Sequence, residues 1–232
     1  MIDRMTRWFG NGWMGIIELL ITAFCVFLSL SFHEFSHGLA AYKMGDDTAK
    51  NLGRLNMSPL SHIDPIGAIC LFFFGFGWAK PVPVNPRNFR YRRFKTSMVI
   101  TSVVGPVSNL LLAFVSALGS GLIYFAFGGS EMGAVGYNII RIVLTIFDTL
   151  MIMNISLAIF NLIPIPPLDG SKILNAVLPA RIYFKIMQYE QYGFIILLII
   201  INLPPFRGLL NFLVGGVYGV LQSLVMWLAM LG

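Results

Sequence analysis

Hydrophobic residues occur along this chain in a few long runs, separated by shorter stretches that hold most of the polar residues and prolines. About 20 predominantly apolar residues cross the hydrocarbon core of a bilayer as a helix. The pattern therefore predicts an all-α polytopic membrane protein with about five transmembrane helices, forming a single membrane-embedded domain over residues 1–232. The predicted spans are residues 13–44, 96–127, 134–161, 192–203 and 208–231.

The connection between the first two predicted spans has a mixed pattern. Its apolar part, about ten residues long, is too short to cross a bilayer as a helix, and glycines and prolines follow it. We therefore predict a re-entrant or interfacial element at about residues 60–86. The alternation Pro81-Val82-Pro83 favours an extended, β-like edge segment within it, because proline has no N–H to donate to a neighbouring strand.

Composition agrees with this fold class. Of the 232 residues, 57% are hydrophobic and 11% are charged, whereas soluble domains carry about a quarter charged residues. The formal net charge of +6 does not indicate nucleic-acid binding, because the basic residues concentrate in one connection, residues 43–95, and do not form a soluble face. Their position instead favours contact with the anionic head groups of a lipid bilayer.

The same charges predict an orientation. The loop around residues 128–133 contains Glu131 and neither Lys nor Arg. Because Lys and Arg are enriched in cytoplasmic loops, we expect a multi-pass protein of the cell membrane with residues 43–95 in the cytoplasm. The end of the first span and the segment after the third span then lie on the cytoplasmic side.

The first span contains the stretch His33-Glu34-Phe35-Ser36-His37. His33 and His37 are four residues apart, so both imidazoles project from one helical face. In the H-E-x-x-H pattern the two histidines bind zinc and the glutamate acts as the general base. Because the chain has only 3 His, a chance match is improbable, and unpaired polar groups at membrane depth are costly.

A catalytic zinc ion has three protein ligands and one open position. Asp169 is the best candidate for the third ligand, because it follows a proline-stiffened turn and precedes Gly170. The alternative for Asp169 is an N-cap of the helix that begins near Ser171. His62 is a competing ligand candidate, for which a structural role is favoured.

Taken together, these motifs resemble the site-2 protease family of intramembrane zinc metalloproteases, peptidase family M50. The resemblance covers most of residues 30–172. Within the family, the sequence is similar to a compact bacterial branch without an inserted PDZ or CBS domain. It rests on an ordered set of motifs: His33–His37, Gly77–Pro86, Gly105-Pro106-Val-Ser-Asn109, and Asn161–Gly170, which resembles N-x-x-P-x-P-x-L-D-G.

The resemblance implies an intramembrane zinc metalloprotease that binds one Zn²⁺ per chain through His33, His37 and Asp169, with Glu34 as the catalytic base. It implies that Asn109 and Asn161 contact the substrate backbone or the oxyanion, and that the substrate is a transmembrane protein. The alternative function is a metal-ion or proton-coupled membrane transporter, since transporters also place His and acidic residues in spans. A transporter is expected to show related halves or several further intramembrane acids, and neither is visible in the sequence.

Overall fold

A computed structural model of the protein describes residues 12–67, 79–90, 94–128 and 133–231. Within these ranges the regular structure is helical, and the β pairing is confined to an isolated antiparallel bridge between Ile63 and Ala79. The helices used below are α1 Gly12–Lys43, α2 Thr48–Asn51, α3 Pro59–His62, α4 Phe94–Phe127, α5 Ala134–Asn161, α6 Asp169–Val177, α7 Ala180–Met187, α8 Glu190–Asn202 and α9 Pro204–Ala229, and a short 3-10 turn covers Pro86–Asn88.

Four helices among the described residues, α1, α4, α5 and α9, are long and apolar enough to cross a membrane. The prediction of a polytopic all-α membrane protein is therefore confirmed. The predicted fifth span at residues 192–203 is not confirmed, because α8 has 13 residues. At 1.5 Å per residue such a helix is about 20 Å long, short of the ~30 Å hydrocarbon core.

The predicted re-entrant, β-like element at residues 60–86 is also not confirmed, since its middle, residues 68–78, lies outside the described part of the chain. On one side of that gap α3 ends at His62, and on the other side residues 81–85 form a stretch with no regular secondary structure. The Lys80 N–H donates to the His62 carbonyl at 2.8 Å. The two ends of this connection therefore lie next to each other.

Helix α4 is the central helix of the bundle and packs against α1, α5, α6 and α9. Its small residues Ala113 and Ala117 are fully buried against Met151 and Ile155 of α5 and Val225 of α9. In a bilayer, close packing between helices provides attraction that apolar burial alone does not, since lipid tails are as apolar as leucine. Alanines at this contact let the helix axes approach closely.

The proline-rich turn between α5 and α6 directs the start of α6 back toward the bundle. Ile163 and Leu168 of this turn pack against Leu197 of α8. A side chain at Gly170 would overlap the backbone carbonyls of Leu162 and Ile163. Glycine at this position therefore lets α6 begin directly against the turn, which places Asp169 at the edge of α1.

Asp46 joins the end of α1 to the segment that precedes α4. It is fully buried, and its carboxylate accepts hydrogen bonds from the N–H and hydroxyl of Thr48, from the Asn85 N–H at 2.6 Å and from Asn88 Nδ2 at 2.9 Å. Burial raises the pKa of the Asp46 carboxyl, but these hydrogen bonds outweigh burial and hold its pKa below the ordinary value.

We predict that Asp46→Ala lowers the free energy of unfolding by about 1–3 kcal/mol at pH 7, because several partly buried hydrogen bonds lose a charged acceptor. The folded-state pKa lies below the unfolded value of about 3.9, so the carboxylate stabilises the protein above that pH. Its contribution is lost as the pH falls through the folded pKa. Unfolding in detergent micelles, followed by circular dichroism between about pH 3 and 7, measures the difference.

The matched control is Asp47→Ala, because Asp47 is adjacent and half-buried and caps α2 without a side-chain hydrogen bond. Its substitution is expected to change stability by less than about 0.5 kcal/mol. Equal losses for the two variants, or a loss for Asp46→Ala that persists unchanged at the lowest pH, would contradict the assigned role.

Candidate metal centre

Three buried side chains from two distant parts of the chain meet at one point. His33 and His37 project from one face of α1, and Asp169 is the first residue of α6. Asp169 Oδ2 lies 3.1 Å from His33 Nε2 and 3.0 Å from His37 Nε2, and the two Nε2 atoms are 3.0 Å apart. Among the described residues, this is the cluster whose ligand atoms are close enough to share a metal ion.

The contacts of the Nδ1 atoms determine whether each Nε2 carries a hydrogen or a lone pair. His33 Nδ1 lies 2.6 Å from Asn109 Oδ1, and His37 Nδ1 lies 2.6 Å from the Thr101 carbonyl oxygen. Because both partners are acceptors, both Nδ1 atoms carry the hydrogen. A neutral imidazole has one N–H, so each Nε2 presents a lone pair.

The donor set fits zinc. Two imidazole lone pairs and a carboxylate oxygen facing one another at about 3 Å repel each other, and a cation between them removes that repulsion. Two histidines and one carboxylate are the protein ligands of a known class of catalytic zinc site. The hydrogen bonds at Nδ1 correspond to the outer contacts that orient zinc-binding histidines.

The second carboxylate oxygen of Asp169, Oδ1, faces a lysine. Asp169 Oδ1 lies 3.4 Å from Lys172 Nζ. The N-cap position of α6 is Leu168, and no side-chain hydrogen bond caps this helix, so the N-cap alternative for Asp169 does not describe the structure.

His62 does not join the cluster. It is 2% exposed, and its Nε2 donates to the Asn56 carbonyl at 2.8 Å. This contact holds the turn before α3, which is the structural role favoured by the sequence.

Glu34 faces a cleft beside the metal-binding cluster. The cleft has a volume of about 300 Å³, and Val82, Val84 and Asn161 are among the residues that line it. Glu34 Oε2 accepts a hydrogen bond from the Val82 N–H at 2.7 Å. The backbone of residues 81–85 therefore holds the carboxylate at the wall of the cleft, a contact that the sequence pattern did not reveal.

The two asparagines predicted to contact substrate lie in different places. Asn161 lines the cleft, and its Nδ2 donates to the Leu157 carbonyl at 3.0 Å. Asn109 is fully buried behind His33, and its Nδ2 donates to Asn154 Oδ1 at 2.7 Å. The predicted substrate contacts stay untested, and Asn109 reaches the site only through the His33 ring.

Sequence reasoning missed Asn154 on α5. The signal in the sequence is an amide side chain inside a long apolar run, because polar groups are costly at membrane depth and usually have a specific partner. Gly105 of α4 belongs to the Gly105–Asn109 motif, and the structure gives the physical reason for a glycine there. An added Cβ at Gly105 would lie 2.5 Å from His37 Cε1 and 2.7 Å from His33 Cε1, so the absence of a side chain makes room for both imidazoles.

Comparison with known proteins gives consistent results. The sequence profile described as "Peptidase family M50" matches residues 129–201, which include Asn161 and Asp169. The chain is 41% identical over 177 residues to "Putative zinc metalloprotease YwhC" of Bacillus subtilis, an alignment that covers 76% of this chain and 78% of the relative.

More distant relatives carry a related name. "Putative zinc metalloprotease Rip2" of Mycolicibacterium smegmatis is 26% identical over 197 residues, 83% of this chain and 70% of that protein. The protein of the same name from Mycobacterium tuberculosis is 24% identical over 199 residues, 84% of this chain and 70% of its own length. No solved structure matches the chain.

We predict that Gly105→Ala weakens zinc binding at least about tenfold, because the new methyl group displaces the two imidazoles from their common face. Zinc content after purification and competition with a chromophoric chelator measure the change. Gly216→Ala is the matched control, since Gly216 lies in α9 with open space around it. The control is expected to keep its zinc and to stabilise the helix by up to about 1 kcal/mol. Undiminished zinc affinity in Gly105→Ala would show that the close approach has no role in metal binding.

Proposed function

Since this chain belongs to peptidase family M50, the site-2 protease family, and is a zinc metalloprotease with Zn²⁺ as its cofactor, we propose that it hydrolyses peptide bonds within or near transmembrane segments of membrane proteins. The observation that carries this proposal is the depth of the candidate site. His33 and His37 lie inside the apolar helix α1, whose candidate span is Met14–Lys43, and the cleft opens beside them.

In this proposal His33, His37 and Asp169 hold one zinc ion per chain. When bound in such a site, zinc polarises a carbonyl group and activates water as a nucleophile near neutral pH. Glu34 accepts the proton of the attacking water as general base. The Val82 N–H, 2.7 Å from Glu34 Oε2, keeps the carboxylate directed at the cleft, which favours proton transfer over rotation away from the site.

Asn161 is the proposed contact for the developing oxyanion. One hydrogen of its Nδ2 is used by the Leu157 carbonyl, and the second is free to point into the cleft. A neutral amide donor stabilises negative charge in the transition state without placing a permanent charge in an apolar site.

The substrate helix has to unwind before its backbone can be attacked, because helical N–H and C=O groups are already paired. Pro81, Val82 and Val84, in the segment at residues 81–85, are among the residues that line the cleft. We propose that the unwound substrate lies along this segment in the manner of an added strand. We also propose that the segment belongs to a single membrane-embedded domain with the spanning helices α1, α4, α5 and α9.

We predict that Glu34→Gln abolishes cleavage of a model single-span substrate, lowering the rate at least about 100-fold because general base catalysis is lost. Bound zinc is expected to stay at one ion per chain, since Glu34 is not a ligand. The assay uses purified protein in detergent or liposomes, with zinc counted by atomic spectroscopy. Glu18→Gln, an exposed position on the same helix, serves as the control and should cleave normally.

The alternative, a metal-ion or proton-coupled transporter, makes the opposite prediction. Metal or proton flux into liposomes that persists in Glu34→Gln, with no cleavage of any single-span substrate by the wild type, would refute the protease function for this chain.

We propose a cell-membrane location with the metal centre toward the cytoplasm, because α2 and the start of α6 carry basic residues, Lys50 and Lys172. In a background with Cys25→Ser and Cys70→Ser, we predict that Asn51→Cys is labelled by a membrane-impermeant maleimide only in inverted vesicles. Gly133→Cys, at the opposite end of the bundle, should be labelled in intact cells. The reverse labelling pattern would contradict this orientation.

A further inference from the structure

A continuous chain of hydrogen bonds runs behind the metal centre and connects three membrane-spanning helices. His33 of α1 contacts Asn109 of α4 at 2.6 Å, and Asn109 contacts Asn154 of α5 at 2.7 Å. Asn154 contacts Ser29 of α1 at 2.8 Å. Ser29, Asn109 and Asn154 are fully buried, so no water competes for these polar groups.

A backbone carbonyl at one end of this series of hydrogen bonds determines which atom donates and which accepts in each of them. Asn154 Nδ2 lies 2.8 Å from the Leu150 carbonyl oxygen. That oxygen can only accept, so the nitrogen of the Asn154 amide must face it, and Asn154 Oδ1 must face Asn109. Ser29 adds a second acceptor on the same side, because its hydroxyl hydrogen is donated to the Cys25 carbonyl at 2.7 Å.

The orientation of the Asn154 amide fixes the orientation of the Asn109 amide. Because Asn154 Oδ1 accepts, the Asn109 amide must present Nδ2 to it, and Asn109 Oδ1 is left facing His33 Nδ1. An acceptor at this distance requires hydrogen on Nδ1. The lone pair of the neutral ring is then on Nε2, which faces His37 and Asp169. The reversed Asn109 amide would favour hydrogen on Nε2, the tautomer that cannot bind a metal there.

We propose that Asn154 is a positioning residue of the metal centre, which selects the zinc-binding tautomer of His33 through Asn109. The proposal rests on the proposed function, in which His33 binds zinc. His37 needs no such device, because its Nδ1 donates directly to a backbone carbonyl, that of Thr101. His33 instead depends on an amide that can rotate, and Asn154 is the residue that prevents the rotation.

A purely structural role for Asn154 gives a different result. Polar contacts between spans also hold helices together, typically by about 1 kcal/mol or less. A residue with only that role would affect stability and leave the His33 tautomer and the zinc affinity unchanged. Zinc affinity and tautomer state therefore separate the two roles, and neither readout requires a substrate.

The first test measures zinc affinity by chelator competition for the purified full chain. We expect Asn154→Leu to raise the zinc dissociation constant about 10–100-fold, the range for loss of an outer contact to a metal ligand. Asn138→Leu is the matched control, since it makes the same change at an exposed position of α5. Ser29→Ala leaves the Leu150 carbonyl in place, so it should raise the dissociation constant less than about threefold.

A rescue variant tests the direction of the chain itself. Adding Asn109→Asp to Asn154→Leu supplies His33 Nδ1 with an acceptor that has no donor face, so the zinc-binding tautomer no longer depends on Asn154. We expect the double variant to recover most of the lost affinity. If Asn154→Leu binds zinc as tightly as the wild type, or if the double variant is weaker than the single one, the proposal is wrong.

The second test needs no variant of Asn154. The chain has 3 His, so ¹⁵N spectra of the zinc-free wild type contain few imidazole signals, which His62→Gln and His37→Gln variants can assign. The proposal requires hydrogen on Nδ1 of His33, and a neutral ring with its hydrogen on Nε2 alone would overturn it even if Asn154→Leu failed to fold. A wild type that binds no zinc would instead refute the proposed metal site. If the wild type binds one zinc ion and Asn154→Leu has the same zinc dissociation constant, only this inference is refuted.

Discussion

The candidate site is organised around three lone pairs that repel one another. His33 Nε2, His37 Nε2 and Asp169 Oδ2 lie 3.0–3.1 Å from one another in a buried region, where the low dielectric strengthens the electrostatic penalty. Two of these atoms come from one helix, and the third comes from a residue 136 positions beyond His33. A cation turns the repulsion into attraction, which is why the arrangement suits a metalloprotease and has no obvious structural purpose.

Helix α4 supports this centre along one of its faces. Gly105 makes room for the imidazoles, Thr101 accepts from His37, and Asn109 accepts from His33. These three residues are spaced by four along the helix, so they lie on one face. The face that packs against α1 is therefore also the face that orients the imidazoles of His33 and His37. The small residues of α4 serve the same end by letting α5 and α9 pack closely on its other sides.

The non-helical segment at residues 81–85 supplies a further part of the wall of the cleft, through Pro81, Val82 and Val84. Val82 holds Glu34, and Asp46 holds Asn85 three residues further along the same segment. Both carboxylates belong to α1 or to the turn directly after it, so the segment at residues 82–85 is attached to the helix at two points. The position of this segment is therefore set by the helix that carries His33 and His37. This arrangement suits the proposed function, in which a substrate and Glu34 must keep a fixed separation.

Much of this protein could be predicted from local pattern. Long apolar runs determined a polytopic helical fold, and the four-residue spacing of His33 and His37 determined that both face one side of α1, because helical periodicity is a local property. The proline-stiffened turn before Asp169 indicated a third ligand. Tertiary structure alone decided the rest. The run at residues 192–203 became a short helix beside the turn, Glu34 found its partner in Val82, and Asn109 was placed behind His33 with Asn154 behind it. These contacts join residues that are tens of positions apart, and the direction of a hydrogen-bonded amide depends on which acceptors surround it in space, which no spacing along the chain encodes.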